Sequence, residues 1–175
     1  RKAVAARIGD RVYDLRQTVE EGGDFEVITA GSDDALHELR HSSSHLMALA
    51  VQELFPGVKF AIGPSVKDGF YYDLLMDHRL SPEDLERIDA KMDELIKAGG
   101  LEFERRVMPR EEAKKLFEEL DQPFKIELIN DLEDEEVSVY SLGAFTDLCT
   151  GPHVPDVKML KHHKLTPLAG AYWRG

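Results

Sequence analysis

Residues 81–107 read SPEDLERIDAKMDELIKAGGLEFERRV, a whole helix followed at once by a strand. Ser81 suits an N-cap, Pro82 the first helical position, and Asp84 the place of a capping-box acid. Leu85, Ile88, Met92 and Leu95 recur at helical spacing and predict one buried stripe. Gly99-Gly100 stops the helix. Beyond it Leu101, Phe103 and Val107 mostly alternate with charges, as in a strand buried on one face. Such units, joined by short connections, predict an α+β fold with helices packed on a mainly antiparallel sheet.

The flanking sequence extends this pattern. Ser32 is the expected N-cap of an earlier helix, with Asp33 and Asp34 in its first turn. Leu36, Leu39, Leu46, Leu49 and Ala50 form its apolar face, and Pro56-Gly57 ends it. An extended stretch at 58–62, a Gly63-Pro64 turn and an aromatic strand Phe70-Tyr71-Tyr72 follow. Residues 109–120 predict a helix with Ala113, Leu116, Phe117 and Leu120 inward. Phe124, Ile126 and Leu128 alternate around Lys125 and predict a strand with Lys125 on its opposite face. Residues 131–136 are expected to be a solvated acidic loop, and 137–140 and 145–148 the last strands.

Residues 1–30 read as short strands around the turns Gly9-Asp10 and Gly22-Gly23. Thirty residues make a poor independent core. They are expected to be the end of a small β-rich domain, with 31–175 as a second unit. Arg1 in place of Met points to missing upstream residues.

The chain has 175 residues, 42% of them hydrophobic and 32% charged, which excludes disorder as its main state. No apolar run approaches the ~18 residues of a membrane span. One cysteine and no secretory signal predict a reducing, cytoplasmic setting. A net charge of −12 argues against a general nucleic-acid coat, though not against a cleft that admits one RNA end.

The chemistry-bearing residues fall into two short motifs. His41-Ser42-Ser43-Ser44-His45 places two imidazoles one helical turn apart on one face. Cys149-Thr150-Gly151-Pro152-His153 is a turn that aims a thiol and an imidazole at one point. His41, His45, Cys149 and His153 are together a legitimate tetrahedral zinc set. Four protein ligands would close the shell, whereas a catalytic zinc keeps a position open. The same four groups equally suit a metal-free pocket with imidazoles as acid and base. Asp147, two residues before Cys149, points to the same side on an extended segment. Lys158, Lys161, His162, His163 and Lys164 form a basic segment suited to phosphate contact or to plain solvation.

These motifs, with Ala61-Ile62-Gly63-Pro64, Gly69-Phe70-Tyr71-Tyr72-Asp73 and the ending Ala169-Gly170-Ala171-Tyr172-Trp173-Arg174-Gly175, resemble bacterial threonyl-tRNA synthetases over nearly the whole chain. The resemblance implies that residues 1–30 are the end of a TGS module, which is a β-grasp fold, and that 31–175 are the editing or second additional domain. It implies hydrolysis of mischarged seryl-tRNA(Thr), with threonine kept out by its extra methyl. The tRNA(Thr) acceptor end carrying serine is the implied partner, with no membrane. The parent enzyme ligates threonine to tRNA(Thr) with ATP, and that ATP and a zinc belong to a catalytic core outside this chain. The parent is expected to be a homodimer and the fragment a monomer.

By the same resemblance, catalysis falls to His41, Lys125 and His153, and substrate binding to His45, Tyr72, Asp147 and Cys149. His41 and Lys125 would orient and activate water, and His153 would move a proton or hold the terminal ribose. Asp147 and Tyr72 would contact the seryl amine or hydroxyl. The family edits without metal, so no cofactor is the favoured state, with zinc on the four His and Cys residues as the rival. The competing readings are an alanyl-type zinc-dependent editing domain and a zinc-stabilised RNA-binding module without catalysis.

Overall fold

The structure is a computed structural model that describes residues 2–166, 168–170 and 173. Most of the ending from Ala171 to Gly175 therefore lies outside the described residues. The chain opens with β1 (Ala3–Ile8), β2 (Arg11–Tyr13) and β3 (Phe25–Thr29), an antiparallel sheet in the order β2-β1-β3. Helix α1 (Ala35–Leu54) follows, then an arm of two small antiparallel ladders. Its strands are β4 (Lys59–Phe60), β5 (Ser65–Val66), β6 (Gly69–Phe70) and β7 (Leu74–Leu75), with β4 on β7 and β5 on β6. Then come α2 (Pro82–Ala98), β8 (Phe103–Pro109), α3 (Arg110–Glu119) and α4 (Pro123–Asn130). Strands β9 (Glu136–Leu142) and β10 (Phe145–Leu148) complete an antiparallel sheet in the order β10-β9-β8, and a 3-10 turn spans Val157–Leu160. The fold is α+β, as the hydrophobic periods predict.

Strand periodicity places the layers. Tyr140 and Leu142 of β9 join the core that holds Leu46 and Leu49 of α1 and Ile88 and Met92 of α2. Val137 and Val139 point the other way, into a second core with Phe117 of α3 and Ile129 of α4. The central sheet is thus covered on both faces. Val4, Ala5 and Ile28 of the first sheet share the larger core, so this sheet is packed against the rest of the chain.

The capping box of α2 forms as expected: the Ser81 hydroxyl accepts from the Asp84 N–H, and the Asp84 carboxylate accepts from the Ser81 N–H. The start of α1 differs. Ser32 Oγ donates to the Thr29 carbonyl at 2.8 Å and caps nothing. A turn at 32–34 intervenes, and the helix begins at Ala35 without a side-chain cap. Leu36 is 40% exposed rather than on the buried face. The aromatic strand stops at Phe70, because Tyr72 turns inward to pack edge-on against Phe60 and Phe145. Only glycine fits opposite it, since a Cβ at Gly63 would lie 2.2 Å from the Tyr72 ring.

The main correction concerns 123–130, which form α4 rather than a strand. Pro123 occupies the first turn, and the buried residues are Lys125 and Ile129, four apart. The alternating Phe124, Ile126 and Leu128 are only half-buried. The apparent two-residue period came from apolar residues on the flanks of a helix, and the buried stripe runs through a lysine.

Candidate functional site

Helix α1 presents His41 and His45 toward the sheet, their ring centroids 5.0 Å apart. Strand β10 delivers Asp147 to the same place, on the face shared with Phe145, and Cys149 follows one alternation later. Gly151 then reverses the chain at φ +74°, where a Cβ would meet the Tyr140 hydroxyl at 2.1 Å. This bend returns His153 to the site.

Lys125 is 2% exposed, and its Nζ lies 2.5 Å from Asp147 Oδ1. It also donates to the Ala61 carbonyl at 2.6 Å and to Tyr72 Oη at 2.9 Å. Lys125 thus makes two hydrogen bonds and an ion pair with Asp147. The Tyr72 hydroxyl donates to Asp147 Oδ2 at 2.5 Å, and His45 Nε2 lies 3.2 Å from the same oxygen. The Val154 N–H donates to Ser42 Oγ, whose own hydroxyl faces His153 Nδ1 at 3.0 Å. His153 Nε2 points at Cys149 Sγ 3.4 Å away.

Burial sets the charge states. Desolvation lowers His41 below the ordinary imidazole range, only partly opposed by Asp147. It lowers His45 to about 3 and His153 well below its usual value, so the three rings are neutral at pH 7. Burial alone would raise Asp147, but the charges of Lys125 and His45, with hydrogen bonds from Lys125 and Tyr72, hold it below the usual carboxylate value. Burial pushes the Cys149 thiol far up, so it is a thiol and not a nucleophilic thiolate.

A cavity of about 850 Å³ opens onto His41, His45, Lys125, Asp147 and Cys149, with Ile62 and Leu128 among its apolar walls. The acidic loop contributes exposed Asp134 and Glu136 to its lining. Tyr72 and His153 do not line it. Tyr72 acts on Asp147 and Lys125 from behind. His153 is 1% exposed, stacked between Phe103 and His41, and borders a separate cavity of about 460 Å³ shared with Asp14.

His41, His45, Cys149 and His153 place one donor atom each within 4.8 Å of one another. Nδ1 of His41 and of His45 are buried without a partner, while the second nitrogens of His45 and His153 rest on Asp147 and Ser42. Outer partners of this kind orient metal-bound imidazoles, so the residues present fit zinc. With all four engaged, the shell would be closed.

Three contributors were given no role by the sequence: Asp14 and Tyr140, outside the motifs, and Ser42, within the histidine motif. Asp14 Oδ1 accepts from the His153 N–H at 2.6 Å, and its other oxygen accepts from the Tyr140 hydroxyl. Asp14 stands 139 positions from His153, so no local pattern could signal it. Asp14→Ala is expected to cost about 1–3 kcal/mol, because a buried N–H loses its acceptor. It should slow any reaction at the site about tenfold by loosening His153. Asp14→Asn, which keeps an acceptor, should restore most of both, as read by urea unfolding and single-turnover rates.

Residues 137–175 match a family described as the threonyl and alanyl tRNA synthetase second additional domain. Over all of this chain, the threonine–tRNA ligase of Carboxydothermus hydrogenoformans is 49% identical, with 28% of its own length covered. That of Pelobacter propionicus is 50% identical over 99% of this chain and 27% of its own length. That of Staphylococcus carnosus is 47% identical over the whole chain and 27% of its length. The chain spans a little over a quarter of the relatives it matches. Half of its residues are shared along its full length, and the second-additional-domain match falls on the segment that holds Asp147, Cys149 and His153, so this chain is similar throughout to a part of bacterial threonyl-tRNA synthetases.

Proposed function

We propose that this chain hydrolyses the ester joining serine to the 3′ end of tRNA(Thr) and spares threonyl-tRNA(Thr). The observation that carries the reading is one cavity onto which a neutral imidazole, a buried lysine and a buried carboxylate open together, with no activated thiol. Ester hydrolysis requires a directed water, a proton acceptor and stabilisation of the oxyanion. His41, neutral and in the cavity, serves as the base. Lys125, bonded to the Ala61 carbonyl and Tyr72 and paired with Asp147, holds Asp147 in place and lends its charge to the cavity. Asp147 receives the seryl ammonium. Tyr72 and His45 position Asp147. His153 acts through the His41 ring on which it stacks and through Cys149. An added methyl in a fitted pocket is worth about 1–3 kcal/mol, enough for tenfold or greater preference for serine.

The proposal takes residues 1–30 as the end of a TGS-type module and 31–175 as the editing unit. The longer protein would attach threonine to tRNA(Thr) with ATP as a cytoplasmic homodimer. Among the described residues, no helix is long and apolar enough to cross a membrane.

A second reading is favoured by the two unpartnered imidazole nitrogens: a zinc held by all of His41, His45, Cys149 and His153 would supply folding energy, and one held by three of them would keep a position open for Lewis-acid chemistry. The test is deacylation of seryl-tRNA(Thr) beside threonyl-tRNA(Thr), with and without chelator, on protein assayed for metal. Serine is expected to be released at least tenfold faster, at a rate the chelator leaves unchanged. Stoichiometric zinc with loss of activity on chelation would establish the second reading. Equal loss of serine and threonine would sink the first.

A further inference from the structure

The basic segment found in the sequence takes no part in the site above. It lines a separate groove of about 640 Å³ on the other flank of α1. Lys2, Arg40, Lys158, Lys161, His162 and Lys164 line this groove, and Asp68 is the one carboxylate among the described residues of its lining. Lys164 lies 3.6 Å from Asp89, and Arg40 donates to the Val66 carbonyl. Lys2, Lys158 and Lys161 have no carboxylate partner among the described residues. His163, in contrast, is turned inward between the Leu160 carbonyl and Asp89 and adds nothing to the exposed face. In a chain of net charge −12, a concave surface with this balance is a local reversal of sign.

The groove and the cavity share no lining residue, but α1 and the arm border both. Neighbouring residues of α1, Arg40 and His41, line the groove and the cavity respectively. The arm joins them too: Gly63 and Pro64 line the cavity, and Gly69 and Phe70 line the groove. Tyr71, 40% exposed on that arm, offers a ring face on which a base can stack. On the acidic loop, Asp134 and Glu136 oppose any phosphate that would leave the cavity that way.

We propose that this groove holds the phosphate backbone of the RNA whose 3′ end enters the His41 cavity, so that the strand crosses the arm and avoids the acidic loop. The proposal rests on the ester-hydrolase reading for its substrate, but its test does not depend on catalysis. The probe is an uncharged-with-amino-acid RNA hairpin ending in single-stranded CCA, titrated against the full chain by fluorescence anisotropy at several salt concentrations. Lys158→Gln/Lys161→Gln is expected to weaken binding about tenfold at low salt. The slope of log K against log salt should fall by roughly 1.4–1.8, the release of counterions from two phosphate contacts. Lys114→Gln/Lys115→Gln, which removes the same charge from α3, should change affinity less than about twofold. Unchanged affinity and slope in the groove variant, an equal loss in the α3 variant, or no binding by the parent chain would each overturn the groove. Hydrolysis of 3′-O-seryl adenosine, which has no phosphate, is measured alongside. The groove variant should match the parent there, and a parent that leaves this ester intact counts against the hydrolase reading while the binding result stands by itself.

Discussion

Lys125→Ala is expected to abolish ester hydrolysis, by at least about a hundredfold, and to lower the unfolding temperature sharply. The rate effect follows from losing one preorganised charge and the group that holds Asp147 in place, a type of loss worth about 10²–10³. The stability effect follows from what remains. Asp147 is 3% exposed, and without Lys125 it would keep only Tyr72 and His45 as partners, while the Ala61 carbonyl would lose its donor. Breaking a buried ion pair from one side costs about 3–5 kcal/mol. At about 2–4 °C per kcal/mol for a chain of this size, Tm should fall by roughly 6–20 °C. A lysine on the open face of a strand, as the sequence predicts, would have left the fold intact on removal. The double variant Lys125→Ala/Asp147→Ala should regain much of the stability, because the stranded charge is gone, yet remain inactive. Calorimetry and single-turnover hydrolysis separate the two effects. Parent-like Tm in the single variant would refute the buried pair, and parent-like activity would refute the role of Lys125.

Acidification from pH 7.5 to 4 is expected to destabilise the chelator-treated protein steeply, before most carboxylates titrate. His45 is held at about 3 by burial, against 6.5 when exposed. Below pH 6.5 the unfolded chain takes up a proton that the folded chain refuses, so stability is complete above 6.5 and falls as pH drops toward 3. One such group contributes about 1.4 kcal/mol per pH unit inside that window. His41 and His153 are shifted the same way, so the slope near pH 6 should exceed that of a single proton. Asp147 is shifted the same way, below its ordinary 3.8, and adds its loss of stability only as pH falls through that value. Asp84, drawn down to about 2 chiefly by its hydrogen bond with His78, likewise matters only at the acid extreme. Urea unfolding at half-unit pH steps measures the slope. A flat profile between pH 6.5 and 4.5 would mean that the imidazoles are hydrated or already charged.

Local spacing made much of this protein readable from its residues alone. The cap, proline and acid of α2 and the paired glycines that end it are short-range signals whose meaning does not depend on distant neighbours, whereas the alternation expected of β8 fails, since Phe103 and Met108 are buried and Val107 is 49% exposed. The same is true of His41 and His45, whose separation by one helical turn is a property of the backbone period. Cys149 and His153 depend on a glycine bend that the sequence also displays.

What the sequence determined by itself was therefore the class of fold, the grouping of two imidazoles with a thiol and a third ring, and a family likeness along the whole chain. Tertiary structure alone decided how those groups behave. It turned the segment around Lys125 into a helix, because burial of Lys125 and Ile129 outweighed the alternating Phe124, Ile126 and Leu128. It brought Asp14 from the first sheet to the backbone of His153. It also withdrew His153 from the cavity that holds His41 and kept the rings neutral and the thiol protonated. These outcomes depend on dielectric and on contacts between residues far apart in the chain. A charge's environment is set by every element that packs around it, whereas a period is set by its own few neighbours.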